Sequence, residues 1–146
     1  MNKSVLSSKL KTLLADSYAL YIKTQNYHWN VEGSDFVGLH TFFEEKYRDL
    51  AEAIDSVAEF IRMLGEKAPG TFAEFASATS IKDGVNSISA MEMVRDLADG
   101  QNILQKTLHE VYEEAERCRE FAISGFASER ISAHKKAEWI LRSLLK

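Results

Sequence analysis

Hydrophobic side chains recur along most of this chain at alternating steps of three and four residues, the spacing of one face of an α-helix. The first such run follows a short polar lead, residues 1–4, and continues to about Trp29. Gly33 interrupts it, and Ser34 or Asp35 offers an oxygen that would cap a second helix. The predicted inward positions of the first helix are Leu6, Leu10, Leu13, Ser17, Leu20 and Thr24.

The second predicted helix runs from Ser34 to Leu64 and carries two stripes, although a surface helix needs only one buried face. Gly65 stands where a helix stop is expected, and Pro69 follows shortly afterwards. The apolar stripe consists of Phe36, Leu39, Phe43, Leu50, Ile54, Val57, Ile61 and Leu64. At about 100° per residue, the second stripe lies roughly a quarter-turn away and consists of His40, Glu44, Tyr47, Ala51, Asp55 and Ala58.

The rest of the chain predicts a long connection followed by two more long helices. Thr71–Glu74 and Ser89–Glu92 fit capping boxes, which would begin a short helix inside the connection and the third long helix. We expect the third helix to bury Val94, Leu97, Gln101, Leu104, Leu108, Val111, Ala115 and Cys118. After an interruption at Ser124-Gly125, the last helix would bury Phe126, Ala133, Ala137, Ile140 and Leu144. The predicted fold is all-α: a four-helix bundle with a long crossover carrying a short helix, in a single domain over residues 1–146.

Composition narrows the function classes. Of 146 residues, 45% are hydrophobic and 27% are charged, as in ordinary soluble globular proteins. The formal net charge of −4 argues against a surface built to bind nucleic acid or an anionic membrane. Cys118 is the one cysteine, so no internal disulfide can form, which suits a reducing cytosol. Since no signal-peptide core or run of roughly 20 apolar residues is present, we expect a soluble cytoplasmic protein without membrane contact.

Four side chains of metal-ligand type on the first two helices form the candidate set: His28, His40, Asp55 and Glu59. On one helix, His40 and Asp55 would lie roughly 22 Å apart, since each residue adds about 1.5 Å. Metal–ligand bonds are only about 2 Å long, so one chain cannot bring both to one ion. Either the cluster is accidental or a second copy completes it. In the accidental case the histidines pack, the carboxylates face water, and Glu59 pairs with Arg62.

A second copy offers a consistent arrangement. A short turn would fold the first two helices into a hairpin in which His28 and His40 converge. If a two-fold axis passes near residues 47–50, an antiparallel copy places its Asp55 and Glu59 opposite His40, giving two equivalent sites per dimer. Two imidazoles and two carboxylates suit Fe(II) or Mn(II), and Zn(II) as well. No histidine has a glutamate three residues earlier, so the Glu-x-x-His signature of intrachain di-iron bundles is missing.

Motifs surround these candidate ligands and recur in the last helix: Tyr27–Gly33, Phe36, Leu39–His40, Phe43–Glu44, Leu50–Glu52, Asp55–Glu59 and His134–Arg142. Together they closely resemble the Dps family, the mini-ferritins also called DNA-binding proteins from starved cells. The likeness covers nearly the whole chain, and the spaced His, His, Asp and Glu set is highly specific. It implies a ferritin-like subunit that assembles as a hollow dodecameric shell with tetrahedral symmetry.

The resemblance also implies a ferroxidase centre for two irons between two-fold-related subunits. His28 and His40 would come from one subunit, and Asp55 and Glu59 from the other. Glu44 falls at an acidic position of the family and could assist a second iron. The implied reaction is oxidation of Fe(II), preferentially by hydrogen peroxide, with storage of a ferric mineral inside the shell.

Trp29 matches a tryptophan that lies beside the centre in the family. The resemblance implies that it donates an electron and so limits radical escape. The alternative is simple aromatic packing.

Acidic residues line a three-fold pore that admits iron in many family members. Here Glu116 and Glu120 match acidic positions, Phe121 and Gly125 occupy others, and Glu113 is an addition one turn from Glu116. The resemblance therefore implies a pore with fewer charges. The alternative is that these glutamates form a solvated helix face.

Family members that bind DNA through flexible ends have long lysine-rich tails, and this chain has only Lys3, Lys9 and Lys11 near its start. Two of the three fall within the first predicted helix, and Lys135, Lys136 and Lys146 are interpreted as helix-surface charge. Twelve chains would together carry about −48, which opposes approach to phosphates. Direct DNA binding, as in a nucleoid-associated protein, is thus the alternative function and is not favoured.

Overall fold

The computed structural model describes residues 2–146, and in that part of the chain it contains five helices and no β-strand. The helices are α1 (Ser4–Asn30), α2 (Phe36–Met63), α3 (Phe72–Ala78), α4 (Ala90–Arg117) and α5 (Phe121–Ser143). The all-α prediction is confirmed: four long helices form the bundle, and α3 is the short helix of the crossover between α2 and α4.

The four long helices enclose one hydrophobic core. Helix α1 packs against α2, α3 and α4, and α4 packs against α5. Phe60 of α2 meets Phe126 of α5 edge-on, with ring centroids 5.3 Å apart. All predicted inward residues of α1, and all those of the third long helix, are buried. The local periodicity was therefore sufficient to locate the inward faces of these two helices.

The capping boxes are confirmed at the starts of α3 and α4. The hydroxyl oxygens of Thr71 and Ser89 each accept a hydrogen bond from the backbone N–H three residues later, at 3.2 Å. At the start of α2 the prediction is only half correct. Asp35 occupies the capping position, but its side chain makes no capping hydrogen bond.

Two long helices end through the same backbone reversal. Gly65 after α2 has φ +94°, and Arg119 after α4 has φ +60°, so both lie in the left-handed region. In each case the next residue donates its N–H to a carbonyl five residues earlier, at 3.3 Å for Glu66 and 2.8 Å for Glu120. This hydrogen bond satisfies a carbonyl that each helix end would otherwise leave without a partner. The predicted stop at Gly65 is confirmed.

The predicted interruption at Ser124-Gly125 is wrong, because both residues lie inside α5. The chain reverses at Arg119 instead, where no glycine marks the turn. A single glycine inside a helix costs only about 1 kcal/mol relative to alanine, which the packing of α5 on α4 outweighs. The Ser124 hydroxyl oxygen lies 3.1 Å from a Glu116 carboxylate oxygen and 3.2 Å from the Phe121 carbonyl oxygen, so its one proton has two acceptors in reach.

Most of the residues predicted to face inward on α5 are also wrong. Leu144 is 45% exposed, and Phe126, Ala133 and Ile140 are only half-buried. Ala137 alone of the predicted set is buried. The residues that α5 buries are Ile123, Ser124, Ala127, His134, Ala137 and Leu141.

Polar residues on the inward stripe of α5 explain this error. His134 donates from Nδ1 to the Gln101 side-chain oxygen at 2.6 Å, and Arg130 donates to its Nε2 at 2.9 Å. Arg130 also donates to Asp49 of α2 at 2.8 Å. Burial lowers the pKa of His134 to about 3, and the adjacent Arg130 charge acts in the same direction. Through Gln101 of α4 and through Arg130, which bonds Asp49 of α2, this neutral histidine connects α5 to two other helices. A histidine would ordinarily be predicted to lie at the surface.

A buried carboxylate holds the crossover in place. Asp16 of α1 is fully buried and accepts hydrogen bonds from the Thr79 hydroxyl at 2.7 Å and the Ser80 N–H at 2.9 Å. The Thr107 hydroxyl of α4 donates to its other oxygen at 2.7 Å. Since a buried charge is tolerated only when its lone pairs are satisfied, Asp16 fixes the crossover against both α1 and α4.

Candidate metal centre

His28 lies near the end of α1 and His40 near the start of α2, and the hairpin between the two helices stacks their rings. The ring centroids are 3.8 Å apart and the planes differ by 15°. The Nδ1 of His28 lies 2.7 Å from the His40 carbonyl oxygen, and the Nδ1 of His40 lies 2.7 Å from the His28 carbonyl oxygen. Because a carbonyl can only accept, each Nδ1 carries the proton and donates it. In the neutral form of such a ring, Nε2 carries the lone pair that binds a metal.

Glu44 joins the two histidines from one turn further along α2. One of its oxygens lies 4.0 Å from His28 Nε2. One ligand atom from each of His28, His40 and Glu44 lies within 4.8 Å of the others, in a group that is partly buried. Arg48 donates to the second carboxylate oxygen at 2.9 Å, and this hydrogen bond lowers the pKa of Glu44.

Asp55 and Glu59 do not join this group in the single chain. Both lie further along α2 and are exposed. On the same stripe, Ala51 is exposed and Ala58 is half-buried. The alternative partner considered for Glu59, Arg62, instead donates to the Glu66 carbonyl at 3.2 Å. The structure thus brings together three of the five predicted ligands and leaves two carboxylates facing outward.

Aromatic rings surround the histidine pair. Phe36 stacks on His40 with centroids 4.9 Å apart and is 38% exposed, so it is not the core residue that the sequence predicts. Tyr47, which is buried, meets His28 edge-on at 5.3 Å. Trp29 follows His28 directly but is 64% exposed, so the single chain does not provide the aromatic packing considered for it.

The three predicted pore glutamates lie near the turn between α4 and α5. Glu113 and Glu116 are exposed on α4, and the hydroxyls of Tyr112 and Ser124 donate to Glu116 at 3.2 and 3.1 Å. Glu120 precedes α5 and forms an ion pair with Lys3. In the single chain, two of the three are therefore free to interact with a cation in solvent.

The lysines near the chain start are held by glutamates of the same chain. Lys9 and Lys11 lie in α1, as predicted. The pairs are Lys3 with Glu120, Lys9 with Glu110 at 3.7 Å, and Lys11 with Glu66 at 2.7 Å. Lys135, Lys136 and Lys146 are exposed. None of the helices within residues 2–146 is long and apolar enough to cross a membrane.

Sequence reasoning missed Arg48 and the two backbone carbonyls that contact the centre. Arg48 stands four residues after Glu44, a spacing that places two side chains on one helix face and could have revealed the pair. The two backbone carbonyls that orient the imidazoles left no signal, since their position depends on how α1 and α2 are aligned in the hairpin.

Comparison with known proteins agrees with this fold. A family model described as the ferritin-like domain matches residues 7–146. DNA protection during starvation protein 2 of Bacillus anthracis is 31% identical over 145 residues, covering 99% of each chain. The Dps structure from Bacillus brevis superposes with a TM-score of 0.95 at 29% identity, covering 100% of each chain.

The Dps structure from Vibrio cholerae O1 gives a TM-score of 0.93 at 34% identity, over 97% of this chain and 89% of that one. It is described as a member of a broad superfamily of ferritin-like diiron-carboxylate proteins. The fold and the matched domain define a ferritin-like protein. Within that class, the chain belongs to the Dps family.

Proposed function

We propose that this chain is a ferroxidase and iron-storage protein whose iron centre is shared between two copies. The observation that carries the proposal is the convergence of His28, His40 and Glu44 in one chain, with Nε2 of both imidazoles available. Nitrogen and carboxylate donors suit Fe(II), with Mn(II) or Zn(II) as substitutes. Membership of the Dps family and likeness to a diiron-carboxylate protein support iron storage in general.

Asp55 and Glu59 supply the other half of the centre in this proposal. They are exposed in the single chain, and the small Ala51 and Ala58 beside them allow a second α2 to approach closely. A two-fold axis near Tyr47 brings the carboxylates of one copy to the histidines of the other and generates two equivalent centres. These dimers are the units of the proposed dodecameric shell.

The proposed substrates are Fe(II) and hydrogen peroxide. Two Fe(II) ions give up one electron each, and one peroxide takes both electrons with two protons to form two waters. Carboxylates stabilise the Fe(III) product, and pairing the irons avoids a one-electron step that would free hydroxyl radical. Glu44 holds the second iron, and Trp29, next to His28, is an electron donor that limits radical escape. The ferric product is stored as mineral in the shell.

A pair of half-site variants tests the proposal. His28→Ala with His40→Ala removes the imidazole half, and Asp55→Ala with Glu59→Ala removes the carboxylate half. Each is expected to form shells of normal size by sedimentation and to lose peroxide-driven Fe(II) oxidation. His109→Ala, on the exposed face of α4, is the matched control and retains the activity.

Mixing the two half-site variants tests whether the centre is shared. In shells assembled from an equal mixture, about one quarter of the centres combine intact histidines with intact carboxylates. We expect about that fraction of wild-type activity. No recovery would show that the centre lies within one chain, and unchanged oxidation in the histidine variant would show that the ligands lie elsewhere.

DNA protection is a second proposed role, supported by relatives that are named for it. We propose that protection follows from removal of ferrous iron and peroxide rather than from direct binding of DNA. The ion pairs at Lys3, Lys9 and Lys11 and the net charge of −4 support this choice.

A further inference from the structure

Three tyrosines form a continuous series of ring contacts that begins at the histidine pair, called here the tyrosine line. Tyr47 of α2 meets His28 with ring centroids 5.3 Å apart. Tyr21 of α1 meets Tyr47 at 5.7 Å, edge-on. Tyr18 of α1 meets Tyr21 at 5.7 Å. Each ring centroid thus lies no more than 5.7 Å from the next, from His28 of the candidate iron centre to Tyr18 beside α3.

The exposure of the three rings changes along this line. Tyr47 is buried, whereas Tyr21 and Tyr18 are half-buried. Tyr18 also stacks on Phe75 of α3 at 4.8 Å and 17°. Phenylalanine is not a stronger reductant than tyrosine, so the oxidisable part of the line ends at Tyr18. The buried ring is next to the histidines, and the rings that water can reach are the more distant ones.

We propose that Tyr47, Tyr21 and Tyr18 form a hole-transfer chain that carries a one-electron oxidising equivalent away from the iron centre. The proposal rests on the ferroxidase function proposed above. It applies when peroxide reaches a centre that holds a single Fe(II), which can supply only one of the two electrons that peroxide requires. Electron transfer falls steeply with distance, and the short gaps between these rings favour transfer along the line.

The step balances with a tyrosine as the second reductant. One peroxide, one Fe(II), one phenol and one proton give two waters, one Fe(III) and one neutral phenoxyl radical. Tyr47 is oxidised first and loses its proton to water. Tyr21 then reduces Tyr47, and Tyr18 reduces Tyr21, with each phenol regaining a proton as its radical is filled. An external thiol finally donates a hydrogen atom to the Tyr18 radical, which restores the phenol and leaves a thiyl radical.

The positive charge of Arg48 does not block hole transfer through Tyr47. Its guanidinium carbon lies 5.5 Å from the centroid of the Tyr47 ring, where it would repel a ring that became positively charged. Because tyrosine loses its proton on oxidation, the ring remains neutral. The competing explanation is that the three rings only pack against each other. Phenylalanine would then serve equally well at all three positions, so the hydroxyl groups are what the experiment must remove.

The test uses the assembled protein with less than one Fe(II) per centre and excess peroxide, frozen rapidly for electron paramagnetic resonance. The wild type is expected to show a tyrosyl radical. Tyr47→Phe removes the first electron donor of the line. This variant is expected to lose the tyrosyl signal and to give more hydroxyl-radical adducts of a spin trap. Tyr18→Phe with Tyr21→Phe should confine the radical to Tyr47, where nearby Fe(III) accelerates its relaxation. Tyr112→Phe, on α4, removes a tyrosine hydroxyl that bonds Glu116 and lies outside the line. It is the control for loss of one phenol and is expected to keep the tyrosyl radical signal.

Separate outcomes test the chain and the ferroxidase function on which it rests. Suppose that wild-type protein oxidises Fe(II) at two irons per centre but shows no tyrosyl radical in the low-iron experiment. That result would overturn the hole-transfer proposal and leave the ferroxidase proposal intact. A radical that persists unchanged in Tyr47→Phe would also overturn the hole-transfer proposal. Wild-type shells that oxidise no Fe(II) would remove both proposals together. Thermal midpoints of the phenylalanine variants establish that packing is retained.

Discussion

Lys3 and Glu120 form an ion pair that joins the segment before α1 to the start of α5. Lys3 is the one lysine that precedes α1, and Glu120 is one of three glutamates proposed for an iron pore. Each charge is therefore partly neutralised by the other. This contact weakens the case for a DNA-binding tail and reduces the charge of the proposed pore at the same time.

We expect the assembled protein not to retard duplex DNA in a gel-shift assay at about 0.15 M salt, where charge interactions reach only about 8 Å. The cause is that Lys3, Lys9 and Lys11 are paired within the chain, on a protein of net charge −4. Retardation at low salt that disappears in Lys3→Ala with Lys9→Ala would establish DNA binding through this end of the chain.

We expect Lys3→Ala to speed iron uptake, because it frees the Glu120 carboxylate to attract Fe(II). Glu113→Gln with Glu116→Gln should slow it, by up to about tenfold at low ionic strength. Mineral formation is followed by absorbance at several salt concentrations. Lys135→Ala, a charge removed from the exposed face of α5, is the control. Equal rates in all variants would show that these glutamates form only a solvated surface.

Acid should destabilise the fold through His134. Its pKa is about 3 in the folded chain against an ordinary value of 6.5, so below pH 6.5 the unfolded chain binds a proton that the folded chain does not. Stability contributed by the neutral imidazole is complete above pH 6.5 and falls by about 1.4 kcal/mol per pH unit as pH decreases toward 3. His134→Gln keeps a donor and an acceptor but does not titrate. Denaturant unfolding at a series of pH values should show a shallower acid slope in the variant, and parallel slopes would contradict the assignment.

Arg119→Gly is expected to stabilise the fold. A left-handed residue with a side chain costs about 1–2 kcal/mol, and glycine adds about 0.4–1 kcal/mol of freedom to the unfolded chain. The net gain is on the order of 0.5–1 kcal/mol, measured as a higher denaturant midpoint. Gly65→Ala, which introduces a side chain at the equivalent turn after α2, should shift the midpoint in the opposite direction.

The sequence was most informative where structure depends on local spacing. The inward faces of α1 and α4, and the caps at Thr71 and Ser89, follow from short-range periodicity and hydrogen bonding, and they were predicted correctly. The turn at Arg119 was missed because a non-glycine residue adopts the backbone conformation that usually marks glycine. The inward face of α5 was missed because His134 is buried against Gln101 of α4 and the half-buried Arg130 pairs with Asp49 of α2.

The candidate site was predictable in composition but not in arrangement. The spacing of His28 and His40 around a short turn indicated that they would meet, and the structure stacks them at 3.8 Å. Their reciprocal bonds to backbone carbonyls depend on the alignment of two helices, which no residue type specifies. Glu44 reaches the histidines within the chain. Asp55 and Glu59 lie too far along α2 to do so, and in the proposed dimer a second copy supplies them.

Asp16 has a consequence for the lifetime of the folded state. Its hydrogen bonds to Thr79, Ser80 and Thr107 connect residues that are 63, 64 and 91 positions apart. Contacts across loops of this length form late, after the local helices and hairpins have assembled. Interactions absent from the transition state affect the unfolding rate rather than the folding rate. We therefore expect the buried carboxylate to slow unfolding and to have little influence on how quickly the folded chain forms.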